Sequence, residues 1–295
     1  MLIKYGTIHH NIDVTNICLL KLKKNDIITI PSGDSNRANI FTDPLFGTLK
    51  IILISFDDGI LHNYSQDYTI QINITNNTIS LTSDTYINNK LSNIHSKLNI
   101  KHGSLNDEFP EQIMTVTYLT GNEKVLEIGG NIGRNSLIIA SIVEQQNFVS
   151  LECDNNTAIQ LTENRDLNNF HFHIESSALS NKKLIQRGWD TIPSDILLDG
   201  YKWVNTITLT ELKSKYNIQF DTLVLDCEGA FYYILMDIPE ILNNIHLIIM
   251  ENDYWDITHK QYVDNVLTKN GFYRNYVKSG GWGPCQSNFF EVWKK

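Results

Sequence analysis

The chain of 295 residues holds no long apolar run. Its hydrophobic stretches, such as Ile51 to Ile54 and Leu247 to Met250, are far shorter than the roughly 20 residues a membrane helix needs. No membrane span or membrane partner is expected. Cysteine is scarce, with four residues (Cys18, Cys153, Cys227, Cys285) and no Cys-x-x-Cys spacing. That excludes a disulfide framework and a thiolate zinc site, and fits reduced thiols. Basic charge is also short: 24 Lys and Arg stand against 33 Asp and Glu, a net charge of −9. The basic residues are scattered, so the cationic surface that a phosphate backbone demands is missing, and nucleic acid is disfavoured as a partner. The stretch Met1 to Asn16 lacks a basic patch followed by an apolar segment, so a cytoplasmic location is expected. There is no Gly-Lys-Ser/Thr of a phosphate-binding loop and no His-x-x-x-His metal spacing.

What is present divides in two. Up to about residue 95 the text is strand-like, with Ile27-Ile-Thr-Ile30, Leu49-Lys-Ile-Ile-Leu-Ile54, and Thr69-Ile-Gln-Ile-Asn-Ile74 facing Thr78-Ile-Ser-Leu81 across an Asn-rich turn. Asp57-Asp-Gly59 reads as another reversal. Polar, non-periodic text at about 96–108 follows, which places a small β-rich domain and linker at 1–106 and a second domain at 107–295. In the second domain a short helix, Phe109 to Leu119, precedes strands that alternate with helices, the mark of βαβ units and a parallel sheet. The strands are read at 124–128, 147–151, 170–174, 220–225 and 245–250. A length of 295 residues suits such a two-part chain.

Two segments of the second domain carry chemistry. The first, Glu127-Ile-Gly129-Gly-Asn131-Ile-Gly133, joins a buried strand directly to an apolar helix. Glycines there let the backbone turn tightly and approach a ligand, although a plain strand-to-helix turn uses them too. The next strand ends in Glu152, about 20 residues on, where a carboxylate can accept from both hydroxyls of a ribose. The glycines are four apart with an acidic residue before the first, which is not the Gly-x-Gly-x-x-Gly of a dinucleotide site. The second segment, Phe220-Asp-Thr-Leu-Val-Leu-Asp-Cys-Glu-Gly229, ends a strand with Asp226 and Glu228, two residues apart and so directed to one side. In an open parallel sheet that edge lines the ligand crevice. The alternative is an acidic first turn that merely caps the following helix.

The glycine turn and Glu152 resemble the first two motifs of class I S-adenosylmethionine-dependent methyltransferases. With Thr206-Ile-Thr-Leu-Thr-Glu-Leu212 and Asp226-x-Glu228-Gly229 downstream, residues 109–295 resemble the FkbM family of such enzymes. Two departures stand out: Val224 and Leu225 fall where the family commonly carries a Lys, and Phe231 replaces its second Glu. Thr208-x-x-Glu211 is also a capping box, which gives that segment a structural reason of its own.

The resemblance implies a Rossmann-like class I methyltransferase α/β sheet with a terminal antiparallel hairpin, preceded by the β-rich domain. It implies S-adenosylmethionine as cofactor, held by Glu127, Gly129, Asn131, Gly133, Glu152, Ser177, Ala178 and Asp226. It implies an O-methyltransferase, for which Glu228 is the expected general base and Asp226 its catalytic partner on the cofactor ammonium or the substrate. Glu251 and Asp253 follow the fifth strand, with Tyr254 and Trp255, and Trp282 lies on the link before the last strand. These are expected to hold the acceptor, a hydroxyl of a sugar or glycan, since aromatic faces beside carboxylates suit a sugar ring. A lipid or polyketide hydroxyl is the alternative acceptor, and a non-catalytic glycan- or partner-binding scaffold the non-enzymatic alternative. Asp226, Glu228 and Asp253 offer oxygen donors to a metal, but with no ligand spacing none is expected. Oligomeric state is not legible.

Overall fold

The computed structural model describes residues 1–57 and 59–295, so the reversal read at 57–59 lies partly outside the described residues. The chain forms two units, Met1–Lys90 and Leu91–Lys295. Among the described residues, no helix is long and apolar enough to cross a membrane.

The first unit contains two four-stranded antiparallel sheets. One orders Asn11–Asp13, Leu2–Gly6, Ile51–Ser55 and Leu61–Tyr64; the other orders Lys23–Lys24, Ile27–Ile30, Tyr68–Asn73 and Thr78–Ser83. The period of two dictates the packing. Ile28 and Ile30 of one strand and Ile70 and Ile72 of its neighbour turn inward onto Ile3, Tyr5, Ile52 and Ile54 of the other sheet. The hairpin closes Asn73 against Thr78, as the alternation requires. The helices are the part that the strand-like text does not announce. From helix Asp34–Phe41, the buried Arg37 donates to the carbonyls of Pro31, Ser65 and Tyr68, satisfying its guanidinium without an anion.

The second unit is built on a seven-stranded sheet. Its strands are β1 (Val125–Ile128), β2 (Phe148–Leu151), β3 (His173–Glu175), β4 (Thr222–Leu225), β5 (Leu247–Glu251), β6 (Tyr273–Lys278) and β7 (Phe290–Lys294). Their order in the sheet is β3-β2-β1-β4-β5-β7-β6, with β1 to β5 parallel and β7 antiparallel to both its neighbours. This is the Rossmann-like methyltransferase sheet with its terminal antiparallel hairpin. Residues of β1, β2 and β4 are buried throughout because helices cover both faces. Helices α1 (Phe109–Tyr118), α2 (Arg134–Ala140) and α3 (Asn155–Leu167) pack on the face that carries Val125, Phe148 and Val224. Helices α4 (Leu209–Tyr216), α5 (Phe231–Asp237) and α6 (Ile257–Lys269) cover the face that carries Leu126, Leu151 and Leu225. Helix α4 begins with the expected capping box, Thr208 and Glu211 each accepting from the other's backbone N–H.

The polar stretch before α1 belongs to this unit, because its backbone is held by α3. The N–H groups of Lys101 and His102 donate to Oδ1 of the buried Asn164, and that of Asn99 donates to Asn168. Between β3 and α4 the chain adds a three-stranded antiparallel flap, Leu184–Arg187 paired with Asp190–Pro193 and with Lys202–Val204.

Candidate active site

The sheet reverses direction of growth between β1 and β4, and a crevice opens beyond their carboxyl ends, where open α/β sheets bind ligands. A cavity of about 450 Å³ occupies that position, bounded by the ends of β1, β2, β4 and β5, by the flap and by the link before β7. Its size falls in the range of small-molecule sites, about 300–1,000 Å³.

The glycine turn forms one wall. Gly129 has φ +92°, and a Cβ on it would stand 1.6 Å from the carbonyl oxygen of Asp226, so only glycine lets the turns after β1 and β4 touch. Asn131, itself at φ 47°, donates its backbone N–H to Oε2 of Glu152 at 2.9 Å, while the N–H of Asp154 donates to Oε1 at 2.8 Å. Glu152 thus ties the turn to the end of β2 and still lines the cavity, with its pKa raised chiefly by burial. Ser177 and Ala178 line the same side.

Glu127 and Gly133 sit elsewhere. Along β1 the alternation sends Glu127 to the face of Val125, beneath α2, where its carboxyl accepts from Ser136 at 2.5 Å and Ser150 at 2.6 Å. Neither residue lines the cavity. Glu127 supports the turn from behind, and complete burial pushes its pKa up to about 7. A Cβ on Gly133 would meet Leu161 of α3 at 2.4 Å, so that glycine serves helix packing.

The acidic wall is denser than the sequence suggests. Asp226, Glu228, Glu251 and Asp253 are joined at the cavity surface by Glu108 and Glu111 from the start of α1. No Lys, Arg or His lines the cavity among the described residues. Arg134 pairs with Glu108 at 2.5 Å, leaving the rest without a cationic neighbour among the ion pairs of the described residues. Burial, then the surrounding carboxylates, raise Asp226 well above the usual carboxylate range. Glu251 is pushed up to about 12, by burial first and then by the adjoining Glu111 carboxyl. Asp253 is pushed up to about 6. Glu228 opens toward the cavity with an exposed side chain, yet the protein around it, with Asp253 and Asp190, pushes its pKa up to about 7.

Asp226 and Glu228 do not cap the following helix: α5 starts at Phe231 behind Ala230, with no side-chain cap. Glu228 also holds φ 50°, a left-handed conformation that costs a non-glycine residue roughly 1–3 kcal/mol. The two departures from the FkbM pattern are core positions, with Val224, Leu225 and Phe231 at most 3% exposed.

Of the three aromatics, Trp282 lines the cavity, while Trp255 lies outside it and is tilted against Trp282 at 46°, with ring centroids 4.1 Å apart. Tyr254 is buried in the core between sheet and α6, off the cavity. The flap adds walls that sequence reading did not foresee, among them Gln186, Trp189 and Thr191. Its signal was available in Arg187-Gly188-Trp189-Asp190, a glycine turn between two short alternating stretches.

No protein-family model matches the chain, and no curated protein does. Solved structures do align with it at low identity. An O-methyltransferase of Bacillus cereus in complex with S-adenosylhomocysteine shares 14% identity, covering 72% of this chain and 92% of its own, at a TM-score of 0.42. A ribosomal protein L11 methylase of Lactobacillus delbrueckii subsp. bulgaricus shares 9%, covering 67% and 83%, at 0.41. A candidate tRNA methyltransferase of Streptococcus pneumoniae in complex with S-adenosylmethionine shares 10%, covering 63% and 72%, at 0.39. These likenesses are distant, and the class of the fold rests on the strand order itself.

Proposed function

We propose that the chain is an S-adenosylmethionine-dependent O-methyltransferase of FkbM type that methylates a hydroxyl of a sugar or glycan. The observation that carries this reading is the convergence, at the switch point of a methyltransferase-type sheet, of the Gly129 turn, Glu152 and a wall of uncompensated carboxylates. A cofactor with a sulfonium and an ammonium suits such a wall, since each cation is stabilised where water is excluded. Glu152 is placed to accept from the ribose, and Ser177 and Ala178 border the base. Asp226 faces the cofactor ammonium or the substrate.

Methyl transfer forms an oxygen–carbon bond as the carbon–sulfur bond breaks, and the bonding pair returns to sulfur. Alignment of the three atoms is the protein's main contribution. The acceptor hydroxyl must also lose its proton, which passes to Glu228 as general base; a carboxyl raised to about 7 is well matched to that task near neutral pH. Trp282 lines the same cavity as Glu251 and Asp253, a combination that supports a ring-shaped polar acceptor.

Titration calorimetry with S-adenosylhomocysteine, followed by methyl transfer to a panel of sugars, nucleotide sugars and lipid or polyketide alcohols, tests the reading. Binding with turnover on a sugar is the expected result. Absence of binding overturns the reading, turnover on only the lipid or polyketide alcohols overturns its acceptor, and binding without turnover on any acceptor points to a scaffold.

A further inference from the structure

We propose that Asp226, Glu251 and Asp253 form a binding site for a hard divalent cation such as Mg²⁺, Mn²⁺ or Ca²⁺, at the acceptor end of the cavity. The inference deepens the function proposed above and rests on it for the cation's role, though not for its existence. Three observations support it. One carboxylate oxygen from each of the three residues lies within 4.8 Å of the others. Opposite oxygens on one ion stand about 4.2 Å apart around Mg²⁺ and about 4.6–5.2 Å apart around Ca²⁺, so a single ion can reach all three with small side-chain movement.

The second observation is a pair of buried oxygens, one of them outside the trio. Glu111, 7% exposed, lines the cavity, and its Oε2 is buried with no hydrogen-bond partner. Asp253 Oδ1 is likewise orphaned, on a residue 6% exposed. A buried polar atom without a partner costs about 1–3 kcal/mol, more if charged, and acceptor-only oxygens can be satisfied only by a donor or a cation. Third, no Lys, Arg or His lines the cavity among the described residues, so no protein cation serves this end. The cofactor's charges cannot serve every carboxylate at once, because its sulfonium must keep its methyl open to the acceptor.

The donors are all oxygen, which selects hard cations over zinc or copper. Three protein ligands leave coordination positions that an acceptor hydroxyl can enter, which would bring its oxygen beside Glu228 and favour its ionisation. That assigns Asp226 to the acceptor side of the reaction.

The test uses the full chain freed of metal by EDTA and dialysis, titrated with MnCl₂ alone and followed by loss of the free Mn²⁺ electron paramagnetic resonance signal. One site per chain is expected, displaced by Mg²⁺ or Ca²⁺, and weakened about tenfold or more in Asp253→Asn and in Glu251→Gln. Both variants keep side-chain size and add no charge to the acidic cluster, so each should melt no lower than the parent without metal, which controls for folding. No saturable binding up to about 10 mM, weaker than the loosest calcium modules, overturns the site. So does binding that neither substitution weakens in folded protein. Calorimetry with S-adenosylhomocysteine on the same samples separates the two proposals. Mn²⁺ binding without cofactor binding leaves the cation site standing and overturns the methyltransferase reading, and the reverse pattern overturns only the cation site.

Discussion

The backbone N–H of Asn131 donates to Oε2 of Glu152 at 2.9 Å, so the carboxylate at the end of β2 holds the glycine turn after β1 in place. One side chain therefore shapes the turn and faces the ligand. Glu152→Ala should lose about 1–3 kcal/mol of stability, because two backbone donors lose their acceptor. It should also weaken S-adenosylhomocysteine about 10- to 100-fold, the worth of charge-assisted hydrogen bonds to a ribose. Thermal melts and calorimetry measure the two effects separately. A stability loss with unchanged affinity would leave Glu152 a structural staple only.

Glu127 makes stability depend on pH. Its folded pKa is about 7, raised by burial above an ordinary value of 4.5. Unfolded chain releases this proton near 4.5 and folded chain holds it to about 7, so its favourable contribution is complete below 4.5 and is lost as pH rises to about 7. The loss amounts to about 3 kcal/mol. Glu127→Gln stays neutral in both states. Its stability relative to the parent should therefore climb between pH 5 and pH 8 in urea titrations; a pH-independent difference would contradict the assignment.

For the general base the readout is kinetic. With Glu228 near 7, kcat/KM should rise with unit slope below about pH 7 and level off above it. Glu228→Gln should lower the plateau about 100- to 10,000-fold and abolish the inflection while cofactor affinity holds. An unchanged profile in the variant would remove Glu228 from the reaction.

Gly129→Ala should fail on two counts. The new Cβ would stand 1.6 Å from the Asp226 carbonyl oxygen, and φ +92° disfavours any side chain. A destabilisation of more than about 4 kcal/mol is expected, visible as a large drop in melting temperature or loss of soluble protein. Gly188→Ala offers a comparison, since nothing lies within 4 Å of its Cβ, and only the cost of φ +61° remains.

Trp282→Ala addresses the acceptor. Trp282 is 38% exposed and Trp255, the ring tilted against it, is 82% exposed, so stability should change by no more than about 1 kcal/mol. KM for a sugar acceptor should rise severalfold with cofactor affinity unchanged. Equal KM values would mean that the ring is not read by this face.

The sequence by itself determined most strands of the central sheet and the turn that matters most, though the strand read at 170–174 falls at His173–Glu175. Strands β1, β2 and β4 are buried on both faces and appear as short, mostly apolar text, and the tight turn after β1 can be made only with glycine, so both features are local and legible. Glu152, Asp226, Glu228, Glu251 and Asp253 follow from that, because each stands at or just past a strand's carboxyl end. The alternation along β1 also directs Glu127 to the face beneath α2, away from the crevice.

Other features were settled only by tertiary structure. Glu108 and Glu111 stand more than a hundred residues before Asp226 in sequence, and nothing local marks them as its neighbours; the packing of α1 against the sheet brings them to the same cavity. The flap at 184–204 walls a site whose motifs lie on other elements. Tyr254 and Trp255 are adjacent in sequence, yet one is core and the other is open to solvent, because consecutive residues leave the end of β5 in different directions. Whether a carboxylate has a partner is a property of three-dimensional packing, and that property turned a scattered acidic composition into an unneutralised wall at one edge of the sheet.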